Sequence, residues 1–220
     1  MDLSNKAMKI NPSITLEITA KAKELKESGV DVVRFGAGEP DFNTPENIIE
    51  AAIKAMKDGK TKYTPTSGIL DLRKSICDKF KKDNELNYDT DQIVVSTGAK
   101  QSLANTFLAI LNEGDEVIIP TPYWVSYPEL VKLAGGVPVF INTNKENDYK
   151  YSAKELRNLI TSKTKAILVN SPNNPTGSIY TREELTEIAE LAKEYDLIII
   201  SDEIYEKLIY DNEKHISIAS

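Results

Sequence analysis

The 220-residue sequence holds one cysteine and one histidine. A lone thiol, Cys77, excludes an intrachain disulfide and suits a reducing compartment. Thiolate and imidazole ligands are too few for a zinc enzyme, so no metal site is expected. Cys77 falls in the periodic run Leu72, Ile76, Phe80 and reads as a packed core thiol. His215, within the polar stretch NEKHIS, reads as solvated. No G-x-G-x-x-G, Walker loop or G-x-S-x-G is present, which removes the motif-level case for nicotinamide, P-loop and serine-hydrolase chemistry. The 27 basic residues are outnumbered by 34 acidic ones, a formal net charge of −7, whereas a nucleic-acid surface needs a basic stripe. No window approaches the roughly 18 consecutive apolar residues of a membrane span, and the N-terminus shows no apolar signal-peptide core. Neither a nucleic-acid nor a membrane partner is expected, and the expected location is the cytoplasm.

Helix signals are plentiful. Ser13 can cap a helix running to about Ser28, with Gly29 as its stop. Thr44-Pro45-Glu46 supplies a cap, a proline at the first helical position and an acid in the first turn; Gly59 ends that helix. A third helix is expected from about Ile69 to Lys82. Ser152-Ala-Lys-Glu155 and Thr181-Arg-Glu-Glu184 are capping boxes, in which hydroxyl and glutamate satisfy each other's backbone donors. Between these lie short apolar runs: Ile93-Val94-Val95, Val117-Ile118-Ile119, Val137-Pro138-Val139-Phe140-Ile141, Ile167-Leu168-Val169 and Leu197-Ile198-Ile199-Ile200. They are continuous rather than alternating, as in strands covered on both faces. The alternation with helices predicts an α/β fold with a mainly parallel, doubly wound sheet.

Ligands of such sheets collect at the carboxyl ends of the strands, and the unusual residues of this chain follow the apolar runs. STGAKQS (96–102) is a Gly turn opening a helix; the amides of Gly98, Ala99 and Lys100 and the Lys100 ammonium could face an anion. PTPYWVSYPE (120–129) carries the only tryptophan, Trp124, able to stack on a flat ligand. In SPNNPTG (171–177) the prolines restrict Asn174, whose amide could donate to a ring oxygen or a carboxylate. SDEIYE (201–206) places Asp202 just past a run of isoleucines, where a carboxylate needs a partner such as a protonated heteroaromatic nitrogen, with Tyr205 three residues on. Three have a plainer reading: a βα turn for STGAKQS, an Asx-turn for Asn174, and a helix cap for Asp202 with Tyr205 as packing.

Taken together, AGEPDFNTP, KTKYTP, PYWVSYPE, VNSPNNPTG and SDEIYE, in this order and spacing, make the whole chain resemble pyridoxal-phosphate (PLP) aminotransferases of fold type I, near the bacterial aspartate aminotransferases. The resemblance implies a PLP-transferase fold whose large domain, residues 44–220, is C-terminally incomplete, preceded by an N-terminal arm and part of a small domain in residues 1–43. It implies that Asp202 pairs with the pyridine nitrogen, that Tyr205 and Asn174 bond the ring 3-oxygen, and that Trp124 stacks over the ring. Gly98, Ala99 and Lys100 are implied at the phosphate, with Lys100 alternatively meeting an acidic substrate side chain. Asn174 and the backbone of Gly38 are implied at the substrate α-carboxylate. Tyr63 of KTKYTP resembles the tyrosine that reaches the phosphate of a neighbouring subunit, implying a homodimer. The implied substrates are an amino acid, aspartate, and a 2-oxo acid, 2-oxoglutarate.

The family also needs a Schiff-base lysine on a strand after SDEIYE. Lys207 lies too close to Asp202 for that role and Lys100 is on the phosphate side, so the 220 residues read as the N-terminal part of an enzyme, expected to be inactive alone. Relatives that use prephenate carry a basic residue where this chain has Asn11 before Pro12-Ser13, which argues against prephenate. The same scaffold serves aromatic and alanine aminotransferases, carbon–sulfur lyases and some non-enzymatic effector domains, so these stand as alternatives.

Overall fold

In the structure, a computed structural model that describes residues 3–33, 35–36, 38 and 42–220, four of the five apolar runs form strands. These are β1 (Glu116–Thr121), β2 (Val137–Asn142), β3 (Thr164–Asn170) and β4 (Ile198–Asp202). They make one parallel sheet in the order β2-β1-β3-β4. Along the chain the sheet is laid down first to one side of β1 and then to the other. That reversal opens a crevice at the carboxyl ends of β1 and β3.

The continuous apolar character of the runs is explained by cover on both faces. Val117, Ile119, Ala166, Leu168 and Ile200 pack against α5 (Ala99–Ile110) and α6 (Ser126–Leu133), through Leu103, Phe107, Tyr127 and Val131. Ile118, Ile167 and Val169 point the opposite way, onto α7 (Ala153–Arg157) and α8 (Arg182–Glu194), through Leu156, Leu185, Ile188 and Leu191. Both predicted capping boxes form: the hydroxyls of Ser152 and Thr181 accept from the amides of Glu155 and Glu184, whose carboxylates accept in return.

The chain divides into two compact units, Met1–Asn11 with Leu70–Ser220, and Pro12–Ile69. The first also holds α1 (Asn5–Met8) and α4 (Leu70–Asn84); the second holds α2 (Ile14–Glu27) and α3 (Glu46–Lys57). The helix ends agree with the sequence signals to within two residues, and Pro45 is the cap of α3 rather than its first helical residue. Gly29 and Gly59 follow α2 and α3 at φ +88° and +72°, a conformation that disfavours any other residue. Cys77 is half-buried on α4 rather than sealed in the core.

Two expectations need correction. The run Ile93-Val94-Val95 is not a strand: a strand needs a neighbouring ladder for its amides and carbonyls, and this segment instead borders a cavity of about 810 Å³, lined by Gln92, Ile93, Ile199, Ile200 and Asp202. Ile93 is buried while Val94 is exposed. Secondly, His215 is not solvated. Its side chain is only 9% exposed and its Nε2 lies 2.7 Å from Glu203 Oε2, because the segment after β4 folds back with Ser217 buried beside it.

Candidate active site

Four loops converge at the carboxyl edge of the sheet. Asp202, the last residue of β4, is nine-tenths buried. Its Oδ2 accepts from the Tyr127 hydroxyl at 2.8 Å and its Oδ1 from the Ile204 amide at 3.2 Å. Both donors are neutral, and among the described residues no ion pair reaches Asp202. A carboxylate buried to this depth is stabilised most by a cationic partner. Tyr127 comes from the first turn of α6 and is 1% exposed. Burial pushes its hydroxyl well above the usual tyrosine range, and the Asp202 charge and hydrogen bond raise it further, so it stays a proton donor.

Asn174 lies in the turn after β3. Its Nδ2 donates to the Tyr205 hydroxyl at 3.4 Å, a long contact, while its backbone amide donates to Asn170 Oδ1 at 2.8 Å. Both Asn174 and Tyr205 are half-buried. Trp124 packs edge-on to Tyr127 with ring centroids 5.3 Å apart, and the Lys100 ammonium sits 5.1 Å from the centre of its ring. Gly98 caps α5 at φ +81°, and Ala99 and Lys100 form the first turn, where the amide donors lack helical partners.

The structure thus brings Asp202, Tyr205, Asn174, Trp124, Gly98, Ala99 and Lys100 to one edge of one unit. Gly38 and Tyr63 belong to the other unit: Gly38 lines a groove of about 640 Å³ with Ile18, Leu25 and Phe35, and Tyr63 is fully exposed. Ala37, Glu39, Pro40 and Asp41 of the AGEPD motif lie outside the described residues. Asn11 donates from its backbone and side chain to Glu129, at 2.9 and 3.1 Å, fastening the N-terminal segment to α6.

Sequence reasoning missed two members. Tyr127 stands three residues after Trp124, in the first turn of α6, where its ring reads as packing. Asn170 ends an apolar run with a polar side chain, itself a signal, since a buried amide must find partners.

The donor set matches what PLP presents. A buried carboxylate with no cationic partner among the described residues suits the protonated ring nitrogen, the Asn174 amide and Tyr205 hydroxyl suit the ring oxygen, and a helix N-terminus with a lysine suits the phosphate. Residues 30–220 match the family model of aminotransferase class I and II. An aspartate aminotransferase of Bacillus sp. (strain YM-2) is 59% identical over 217 residues, 99% of this chain and 55% of the relative. One from Bacillus subtilis (strain 168) is 58% identical over 219 residues, covering 100% of this chain and 56% of the relative. The solved aspartate aminotransferase of Thermus thermophilus with maleate superimposes with a TM-score of 0.97 at 48% identity, over 100% of this chain and 57% of that one. The chain therefore spans somewhat more than half the length of these relatives.

Proposed function

The chain belongs to the class I and II aminotransferase family, and we propose that the full-length protein is a PLP-dependent transaminase that moves the amino group of aspartate to 2-oxoglutarate, yielding oxaloacetate and glutamate. The observation that carries this reading is the buried Asp202 carboxylate, held by two neutral donors, with Tyr205 three residues on and in contact with the Asn174 amide. When bound, PLP supplies an electron sink for the pair released as the substrate Cα–H bond breaks. The chain's own residues hold and orient it.

In this reading Asp202 keeps the proton on the ring nitrogen, and Tyr127 keeps Asp202 in place. Tyr205 and Asn174 donate to the ring oxygen, and Asn174 also meets the substrate α-carboxylate together with the Gly38 backbone. Trp124 covers a ring face, and the amides of Gly98, Ala99 and Lys100 meet the phosphate. Tyr63 serves the phosphate site of a second copy in a homodimer. Residues 1–43 form the arm and part of the small domain, and residues 44–220 belong to the large domain. A cytoplasmic location fits; among the described residues no helix is long and apolar enough to cross a membrane.

Aspartate is favoured by the relatives' names and by Lys100. Its ammonium is exposed and lies over Trp124, within reach of an acidic side chain beside the ring. The test is amino transfer from aspartate to 2-oxoglutarate by the full-length protein with PLP. Lys100→Ala is expected to raise KM for aspartate much more than for an aromatic donor. Equal losses for both donors would return Lys100 to the phosphate alone, and no transfer by the unaltered protein would remove the reading.

A further inference from the structure

Asn170 is 2% exposed, yet its side chain is a primary amide. Burying such a group without hydrogen bonds is unfavourable, so its partners matter. Nδ2 donates to the Pro172 carbonyl at 3.1 Å and to the Asp202 carbonyl at 2.9 Å. Oδ1 accepts from the Asn174 amide at 2.8 Å. Both amide hydrogens and one acceptor position are therefore used, and the partners lie on two different elements. In the strand register Asn170 and Asp202 are opposite one another, and the Ser171 amide also donates to the Asp202 carbonyl, at 3.2 Å.

We propose that Asn170 is a positioning residue that sets the spacing between the Asn174 amide and the Asp202 carboxylate. The proposal rests on the PLP reading of the site. One flat ring has to meet Asp202 at its nitrogen and Asn174 at its oxygen at the same time. Productive sites hold such groups to within about 0.5 Å, through neighbours whose own geometry is locked. Strand pairing alone does not supply this, because the ladder ends at Asn170↔Asp202 and Asn174 lies four residues further on. Asn170 bridges that interval: one side chain grips the backbone of Asp202, the carbonyl of the intervening Pro172 and the backbone of Asn174. A hydrophobic residue of similar size would fill the space but leave those three backbone groups without these bonds. The loop bearing Asn174 would then be free to move relative to β4.

The test uses the full-length protein with PLP. Its dissociation constant and the pH titration of the bound cofactor's absorbance are measured well below the unfolding temperature of each variant. Asn170→Ala is expected to weaken PLP binding by about tenfold to a hundredfold, the range for stranding one or two buried polar partners. It should also move the absorbance titration in the same direction as Asn174→Ala, because both disturb the donor to the ring oxygen. In the double variant Asn170→Ala with Asn174→Ala, the losses should fall short of additive, as they do for residues acting through one another. Asn170→Ser keeps a small polar group but cannot span to Pro172, Asp202 and Asn174. It is measured alongside and should shift both readouts the same way, so misfolding of the alanine variant does not end the experiment. Variants that unfold more easily but bind PLP within twofold of the unaltered protein, with an unmoved titration, would make Asn170 structural only and overturn the proposal. Failure of the unaltered protein to bind PLP at all would instead overturn the function on which the proposal rests.

Discussion

At the scale of single residues, the site is built around a carboxylate whose partners among the described residues are uncharged. Tyr127 is the strongest of them, at 2.8 Å and fully buried. Hydrogen bonds to charged groups contribute about 1.5–3 kcal/mol each. Tyr127→Phe removes the donor while keeping the ring, so the cofactor-free full-length protein should lose about 2 kcal/mol in chemical denaturation. A loss below about 0.5 kcal/mol would mean that water replaces the hydroxyl at no disadvantage. The sequence exposed Asp202 because a carboxylate after three isoleucines is chemically conspicuous. It hid Tyr127, since a tyrosine on an amphipathic helix looks like packing until its hydroxyl has a partner. It hid Asn170 for the same reason: whether a buried amide is merely satisfied or joins two loops depends on which backbone groups reach it, and those come from residues 172, 174 and 202.

Among elements, the helices and central strands were legible because their signals are local. A capping box needs four consecutive residues, and both predicted boxes form. The run at Ile93 shows the limit of that legibility: apolar content can suggest a strand, but only a neighbouring strand makes one, and pairing is not written locally. The return of the chain after β4 was missed for a related reason. NEKHIS is polar apart from Ile216, yet Glu203 draws His215 and Ser217 onto the end of β4, accepting from Ser201 Oγ and Ser217 Oγ at 2.7 and 2.9 Å. Burial pushes the Glu203 carboxyl up, but the bonds from His215, Ser201 and Ser217 outweigh it, and its pKa lies below the ordinary glutamate value of 4.5. Because the folded-state value is depressed, the stability Glu203 contributes is present above the unfolded-state value. It is lost as pH falls through the folded one. Glu203→Gln should therefore lower stability at neutral pH and flatten its decline below about pH 4.5. Parallel acid-unfolding curves for the two proteins would show that Glu203 does not titrate with folding.

For the molecule as a whole, sheet order determines where chemistry can occur. The sheet extends from β1 to β2 on one side and to β3 and β4 on the other, so the ends of β1, β3 and β4 face one crevice together with the start of α5. That convergence brings residues more than 100 positions apart, Gly98 and Tyr205, to one edge of the same unit. Position along the sequence suggested the crevice; the partners of each side chain required the fold. The measurement that bears most directly on the transaminase reading is the rate of aspartate transamination by the full-length protein carrying Asp202→Asn. An amide of the same shape leaves packing intact but cannot hold the proton on the ring nitrogen, so the rate should fall by several orders of magnitude while the fold, by circular dichroism, is unchanged. Near-normal turnover in that variant would contradict the assignment of Asp202 and with it the proposed chemistry of the site.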